Sequence, residues 1–314
     1  MDQKINNYKK ISVIVMAYNR DIYLEDALKS IVIQTLEREF FEVIVIKNFT
    51  TSRLEKIISD QKFRSIIIER PVSAPEMLTI AIDQARNDII SFLEDDDLFE
   101  PDKLRRVFDV FNSEEDLVFH RNSVNIFFSG HANKSETVIR NPVLERPIEI
   151  KGPNYSKKIV YYNAAFNLSS MSILKSVIEI HHFERLSTNQ DMFFLFNALH
   201  TKRTILLDSM VLTKTRIHET NVSVNLNNET KVKFIQKYAE TYYQIGNMIK
   251  GNKKIEKLLK IYMINVLIDL HIMRREISQL FLYDFPIIIF YWLPFVLAYD
   301  PTRIVKAFLN GPCL

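Results

Sequence analysis

With 314 residues, 47% hydrophobic and 25% charged, the chain can bury a large core and has room for more than one structural unit. A net charge of +3 without a long Lys/Arg run argues against nucleic acid as a partner, and the lone cysteine, Cys313, excludes an intrachain disulfide, a cysteine zinc cluster and a Cys-x-x-Cys redox site. Five glycines leave neither G-x-G-x-x-G nor a Walker motif, and the start Met1-Asp2-Gln3-Lys4-Ile5 lacks the apolar core of a signal peptide, so the expected location is the cytoplasm.

Ile11-Ser12-Val13-Ile14-Val15-Met16-Ala17 is an apolar run of strand length, expected to be buried on both faces of a parallel sheet. Tyr18-Asn19-Arg20-Asp21 follows, with Asp21 expected to cap a helix whose apolar residues recur at Leu24, Ala27, Leu28, Ile31 and Thr35. Val43-Ile44-Val45-Ile46 predicts a second strand, Leu54 to Ile58 a short helix, and Ile66-Ile67-Ile68 a third strand. Pro75 to Ala85 predicts a helix with Met77, Leu78, Ala81 and Ala85 on its apolar face, ended by Asn87 in the left-handed conformation. Alternating strands and helices imply βαβ units with ligands at the carboxyl ends of the strands.

The next strand, Ile89-Ile90-Ser91-Phe92-Leu93, runs into Glu94-Asp95-Asp96-Asp97. Four consecutive acids repel one another, and such crowding persists where solvent, a helix N-terminus or a cation relieves it. On extended backbone Glu94 and Asp96 share one face, and Asp95 and Asp97 the other. One face could hold a hard divalent cation; a solvated acidic loop capping the helix from Pro101 to Phe111 is the plainer alternative. Beyond that helix, Leu117 to His120 and Val124 to Phe128 predict two strands, and residues 129 to 160 a variable loop. Leu168 to Ile173 predicts a strand, Gln190 to His200 a helix, and Thr204 to Leu207 a strand. Thr188-Asn189-Gln190-Asp191 has the form of a capping box.

Taken in order, Tyr18-Asn19-Arg20, Gln34-Thr35, Glu42-Val43-Ile44-Val45-Ile46, Phe92 to Asp97 with Pro101-Asp102-Lys103-Leu104, Gln190-Asp191, and Arg216-Ile217-His218 before Asn221-Val222-Ser223 form a pattern. It resembles the inverting glycosyltransferases of family 2. The resemblance implies an α/β GT-A fold: a Rossmann-like, mostly parallel central sheet flanked by helices, with a C-terminal α-helical extension. Residues 1–223 would form the GT-A domain, split roughly into a nucleotide-sugar half (1–100) and an acceptor half (101–223), and 224–314 a helical region. The resemblance further implies a nucleotide-diphosphate sugar, UDP-linked ahead of GDP-linked, bridged by Mg²⁺ or Mn²⁺ to Asp96, with Glu94 and His218 as further metal ligands. Ala17, Tyr18, Arg20, Asn48, Asp95 and Arg216 would meet the donor. Asp191 would be the catalytic base that deprotonates a hydroxyl of a glycan or lipid-linked acceptor.

The sequence departs from the family pattern at Lys47-Asn48, where two acids are usual; the Asn48 amide can still accept from or donate to a base edge. A non-catalytic nucleotide-sugar-binding relative and a sugar-phosphate nucleotidyltransferase are the alternatives, the latter expected to show a Gly-rich loop that Ala17-Tyr18-Asn19 does not supply. From Asn225 the pattern turns helical: Phe234, Tyr238, Tyr242 and Ile245 share a face, and Ile255 to Met273 continues as a second helix. Ile277 to Tyr299 is apolar and aromatic but broken by Pro286, Pro294 and Asp284, whereas a straight span needs about 20 apolar residues. With Arg274, Arg275, Arg303 and Lys306 beside it, the stretch 277–306 is expected to lie on the inner face of the cell membrane; packing on the enzyme or in a homodimer stays open.

Overall fold

The computed structural model describes residues 8–128, 139–141, 144–151, 159, 164–186, 188–218 and 228–274. Ten strands form one sheet in the order β3-β2-β1-β4-β9-β6-β10-β5, with β7 on β6 and β8 on β10. The first half is parallel: β1 (Ile11–Ala17) lies between β2 (Phe41–Lys47) and β4 (Ile89–Glu94), and β3 (Arg64–Ile67) flanks β2. Nearly every side chain of β1 and β4 is buried, as near-continuous apolar strands covered on both faces require.

The covering helices are α1 (Leu24–Val32), α2 (Ser52–Asp60) and α3 (Ala74–Gln84). In α1, Leu24, Ala27, Leu28 and Ile31 repeat at helical spacing and all are buried, while Glu25 and Asp26 sit in the first turn, where the helix dipole favours acids. Asp21 does not cap this helix with its side chain: Tyr23 is the N-cap, and Asp21 offers only its carbonyl to Leu24 N–H at 3.2 Å. Ser73 caps α3 by accepting from the Glu76 amide at 3.2 Å. That helix ends at Gln84, and Asn87 adopts no left-handed conformation; its amide instead donates to the Ile11 carbonyl at 2.8 Å, pinning the start of β1.

The second half is mixed. β6 (Leu117–Phe128) and β10 (Thr204–Ile217) pair in parallel, and β9 (Met171–Leu174) runs antiparallel to both β4 and β6. The two strands expected at 117–128 are one strand, and the strand expected at 204–207 continues to Ile217 through irregular register between Asp208 and Val211. The expected strand at 168–173 opens instead as a 3₁₀ turn over Leu168–Ser170. Two short strands, β7 (Ile139–Asn141) and β8 (Ile148–Ile150), lie within the expected loop.

The strand β5 (Leu98–Phe99) and the helix α4 (Lys103–Ser113) follow the acids, and the Gln34-Thr35 pair locks them to α1. Gln34 donates to the Glu100 carbonyl at 2.8 Å and accepts from the Leu104 amide at 2.9 Å; Thr35 Oγ1 donates to Asp102 at 2.7 Å. Lys103 is wholly buried, bonded to Asn122 Oδ1 and, at 3.1 Å, to the Ser170 carbonyl, and burial pushes its pKa down to about 7.

The single turn α5 (Ile180–Phe183) and α6 (Gln190–His200) close the opposite face, where Phe92 stacks on Phe194 with ring centres 4.6 Å apart. Truncating a buried phenylalanine of this kind costs about 3–5 kcal/mol. Against α6 packs α8 (Lys253–Arg274), Tyr262 lying 6.1 Å from Phe196, and α7 (Asn228–Met248) buries Tyr242 and Ile245 as the shared face predicts. The side chain of Phe234 lies outside the described residues. On this face Arg121 is completely buried, and none of its three side-chain nitrogens has a hydrogen-bond partner among the described residues. No helix among the described residues is long and apolar enough to cross a membrane; the stretch 277–306 lies outside them.

Candidate active site

The carboxyl ends of β1, β4 and β10 meet at one rim of the sheet. The acids there do not continue the strand: Asp97 N–H bonds back to the Glu94 carbonyl at 3.2 Å, so Glu94 to Asp97 form a turn. The expected face alternation is therefore replaced by a different split. Asp95 and Asp96 turn together toward Arg20, and Asp97 turns inward. Three acids in the turn are nearly enclosed, with Asp95, Asp96 and Asp97 exposed by 6, 9 and 2%.

Arg20 forks across Asp95, Nε to Oδ2 at 3.0 Å and Nη2 to Oδ1, and the same Nη2 reaches Asp96 Oδ2 at 2.7 Å. His218 Nε2 lies 3.0 Å from Asp96 Oδ2 and 3.0 Å from Arg20 Nη1. Burial works against the guanidinium charge, but Asp95 and Asp96 hold its pKa above the ordinary arginine value. Burial likewise raises the Asp95 carboxyl, with Arg20 offsetting part of the rise.

Arg216, the last-but-one residue of β10, fixes the turn from behind. Its amide donates to Asp97 Oδ1 at 3.0 Å, its Nε to the Asp96 carbonyl at 2.9 Å, and its guanidinium is sandwiched by Tyr23 at 4.4 Å and Phe127 at 4.7 Å. Asp97 Oδ2 accepts from Asn167 at 2.7 Å, and Ser169 Oγ accepts the Glu94 amide at 3.0 Å. Burial and then the Asp96 charge raise Asp97 above the usual carboxylate range; burial and the charges of Asp97, Asp96, Asp191 and Asp95 do the same to Glu94.

Among the residues expected at the donor, Ala17 is completely buried, which leaves its side chain no surface for a ligand, and Tyr18 is 42% exposed beside it. Asn48 is paired with Asn19: it accepts the Asn19 amide at 2.8 Å and donates to Asn19 Oδ1 at 2.6 Å. Asn19 is left-handed, φ 53°, a conformation asparagine tolerates. Asp191, second residue of α6, does not close a capping box; the N-cap, Asn189, is left-handed at φ 62° with no side-chain cap bond. Asp191 Oδ1 instead accepts its neighbour's amide, Met192 N, at 3.0 Å, and burial lifts its pKa to about 6. Tyr238 of α7 lies near enough that burial, then the charge of Asp191, raises its phenol.

Asp97, Asn167 and Ser169, which steady the turn, and Tyr23 and Tyr238 were not among the site residues expected from sequence. Asp97 had a signal in being the fourth acid; Asn167 precedes the strand expected at 168–173, and Ser169 was expected only as a residue of that strand. As for a cation, Asp96 Oδ2 is the kind of oxygen donor that Mn²⁺ and Mg²⁺ prefer, and His218 Nε2 converges on it at 3.0 Å. No group of three or more His, Cys, Asp or Glu among the described residues is arranged as a ready metal site. Magnesium-type sites commonly use one or two carboxylates and complete their shell with substrate phosphates, so the donor set fits a cation that arrives with a diphosphate. The guanidinium of Arg20, lying on the same atoms, shows that positive charge is accommodated there.

A mixed sheet whose parallel half ends in an acid-rich turn, faced by an acid at the head of a helix, defines the GT-A class of glycosyltransferase. The profile described as "Glycosyl transferase family 2" matches residues 12–177, and the chain belongs to that family. It is 23% identical over 228 residues to an uncharacterized glycosyltransferase of Haemophilus influenzae, covering 70% of this chain and 84% of that protein. With the succinoglycan biosynthesis protein ExoW of Rhizobium meliloti it shares 26% identity over 217 residues, 64% of this chain and 67% of that protein. Its fold is similar to that of S. aureus TarS 1-349 in a crystal structure with UDP-GlcNAc, TM-score 0.58 at 17% identity, covering 96% of this chain and 88% of that one. It spans 43% of a longer TarS structure.

Proposed function

We propose that this enzyme moves a sugar from a nucleotide-diphosphate donor to a hydroxyl of a glycan or lipid-linked acceptor, in one metal-assisted displacement that inverts the anomeric carbon. The observation that carries this reading is the convergence of Asp96 Oδ2, His218 Nε2 and Arg20 within 3.0 Å at the strand ends, with Asp191 close enough for its charge to raise Glu94. Asp96 and His218 would hold Mg²⁺ or Mn²⁺, which supplies stabilisation of the charge developing on the departing diphosphate. Glu94 would join them once positive charge offsets the repulsion of its neighbours.

The chain's own residues do the rest. Asp191, ionised above about pH 6, takes the proton of the acceptor hydroxyl as that oxygen bonds to the anomeric carbon and the bond to the diphosphate breaks, its electron pair leaving with the diphosphate. Raising the carboxyl from the ordinary range toward neutrality strengthens it as a base while keeping it ionised at pH 7. Tyr18, Asp95 and Arg216 would orient the donor. Asn48 retains one N–H and one lone pair for a base edge after pairing with Asn19, and the TarS complex with UDP-GlcNAc supports a UDP-sugar. The basic-flanked stretch 277–306 would rest the enzyme on the inner face of the membrane, where a lipid-linked acceptor is presented.

The test is donor hydrolysis across a panel of nucleotide sugars with and without Mn²⁺, for wild type and Asp96→Asn. Turnover that needs Mn²⁺ and is lost in Asp96→Asn supports the reading. Turnover indifferent to both, or none with any donor, removes it.

A further inference from the structure

We propose that Arg20 is a built-in counter-cation: it holds the acid turn in the resting enzyme, competes with the divalent ion for the same atoms, and passes to the diphosphate when ion and donor arrive together. This rests on the metal-assisted reading above and goes beyond it, because that reading gives Arg20 no role other than its place beside Asp96 and His218.

The geometry supports the competition atom by atom. Asp96 Oδ2 and His218 Nε2 are the pair a cation would take, and Arg20 lies 2.7 Å from the first through Nη2 and 3.0 Å from the second through Nη1. Its Nε and Nη2 also grip both oxygens of Asp95. A planar fork matched to carboxylates in this way is the strong form of arginine recognition, and phosphate offers the same geometry. A divalent ion on Asp96 Oδ2 would stand beside the guanidinium, and like charges so close repel. A diphosphate removes the conflict by bringing negative oxygens for both.

The chain also gives Arg20 somewhere to go. It sits in the short loop between β1 and α1, directly after left-handed Asn19, and its side chain remains 23% exposed whereas that of His218 is 1% exposed. The ring of Tyr23 lies 6.0 Å from the guanidinium carbon. Arg216 is not equivalent: it bonds main-chain and Asp97 atoms of the turn and is clamped between two rings. So Arg216 keeps the turn in shape while Arg20 neutralises it.

The consequence is a synergy between ion and nucleotide that resides in one residue. Mn²⁺ binding to the full chain is measured by electron paramagnetic resonance of the free ion, with and without UDP, for wild type, Arg20→Gln and Arg20→Lys. Arg20→Gln should bind Mn²⁺ alone about tenfold more tightly than wild type, the scale of one partly exposed ion pair, and UDP should then improve Mn²⁺ affinity correspondingly less. Arg20→Lys, which keeps the charge but loses the fork, should fall between Arg20→Gln and wild type. If Arg20→Gln binds Mn²⁺ alone no better, or less well, while wild type still binds Mn²⁺ with UDP, the counter-cation role is overturned and the metal-assisted reading stands. If wild type binds no Mn²⁺ even with UDP, both fall.

Discussion

Asp191→Asn should make the protein more stable at neutral pH while disabling it. The carboxyl accepts the Met192 amide through Oδ1, a bond the asparagine oxygen can keep, so the substitution isolates the charge. Burial lifts the folded-state pKa from 3.8 to about 6. The sign follows from that direction: below about pH 4 neither state is ionised and the group has no effect; as pH rises to about 6 the unfolded chain releases its proton first and stability falls; above that the penalty is constant. At 1.36 kcal/mol per pH unit between the two values the penalty reaches about 3 kcal/mol, and because Asp191 is only half-buried, solvent screening trims it to about 2 kcal/mol. Urea unfolding of both proteins at pH 4 and pH 8 is the assay. We expect the variant to gain about 2 kcal/mol at pH 8, with most of that gain gone at pH 4. Transfer should fall at least about 100-fold with UDP binding retained, the usual scale of losing a general base. A variant no more stable than wild type at pH 8, or one with the same gap at both pH values, would show that the charge of Asp191 is not opposed by the fold.

The pH profile of transfer should have an acidic limb centred near pH 6, falling about tenfold per pH unit below it, and Asp191→Asn should lose that limb. Arg121→Met should raise stability by about 1–3 kcal/mol in urea unfolding, since a buried guanidinium with no hydrogen-bond partner among the described residues gives way to an apolar chain of similar length; a loss of stability instead would mean that Arg121 has a charge partner. Deleting residues 277–314 should release the protein from anionic liposomes in a flotation assay, and unchanged flotation would sink the membrane proposal.

The parallel half was legible because its signals are local. A seven-residue apolar run such as Ile11 to Ala17, or the spacing of Leu24, Ala27, Leu28 and Ile31, fixes an element before any tertiary contact is known. Asp96, Arg20, Asp191 and His218 were expected at the site from their order along the chain, and the fold brings the first, second and fourth together across nearly 200 residues of separation. What failed was geometry set by distant partners. The side chains of Asp95 and Asp96 turn the same way because the Glu94 carbonyl takes back the Asp97 amide, which alternation along a strand cannot anticipate. The caps expected at Asp21 and in the box Thr188 to Asp191 misled for a related reason: a side chain of capping type marks an end of a helix but not which atom satisfies it. His120-Arg121-Asn122-Ser123 breaks an apolar run in two on paper, yet β6 passes straight through it, because Asn122 finds Lys103 and Thr213, and Ser123 finds the Asp208 carbonyl.

The direction of β9 has an outcome for how such a protein can change. Because β9 opposes both of its neighbours, the segment that leaves the end of β6 at Phe128 and the residues that lead into β9, Asn167 and Ser169, share the rim where the acids lie. Between them the chain makes an excursion from that rim, which among the described residues lays β7 on β6 and β8 on β10. Doubling the length of such an excursion adds only about 0.6 kcal/mol of closure entropy. Exchanging that excursion therefore leaves the pairings of β1 with β2 and β4 in register.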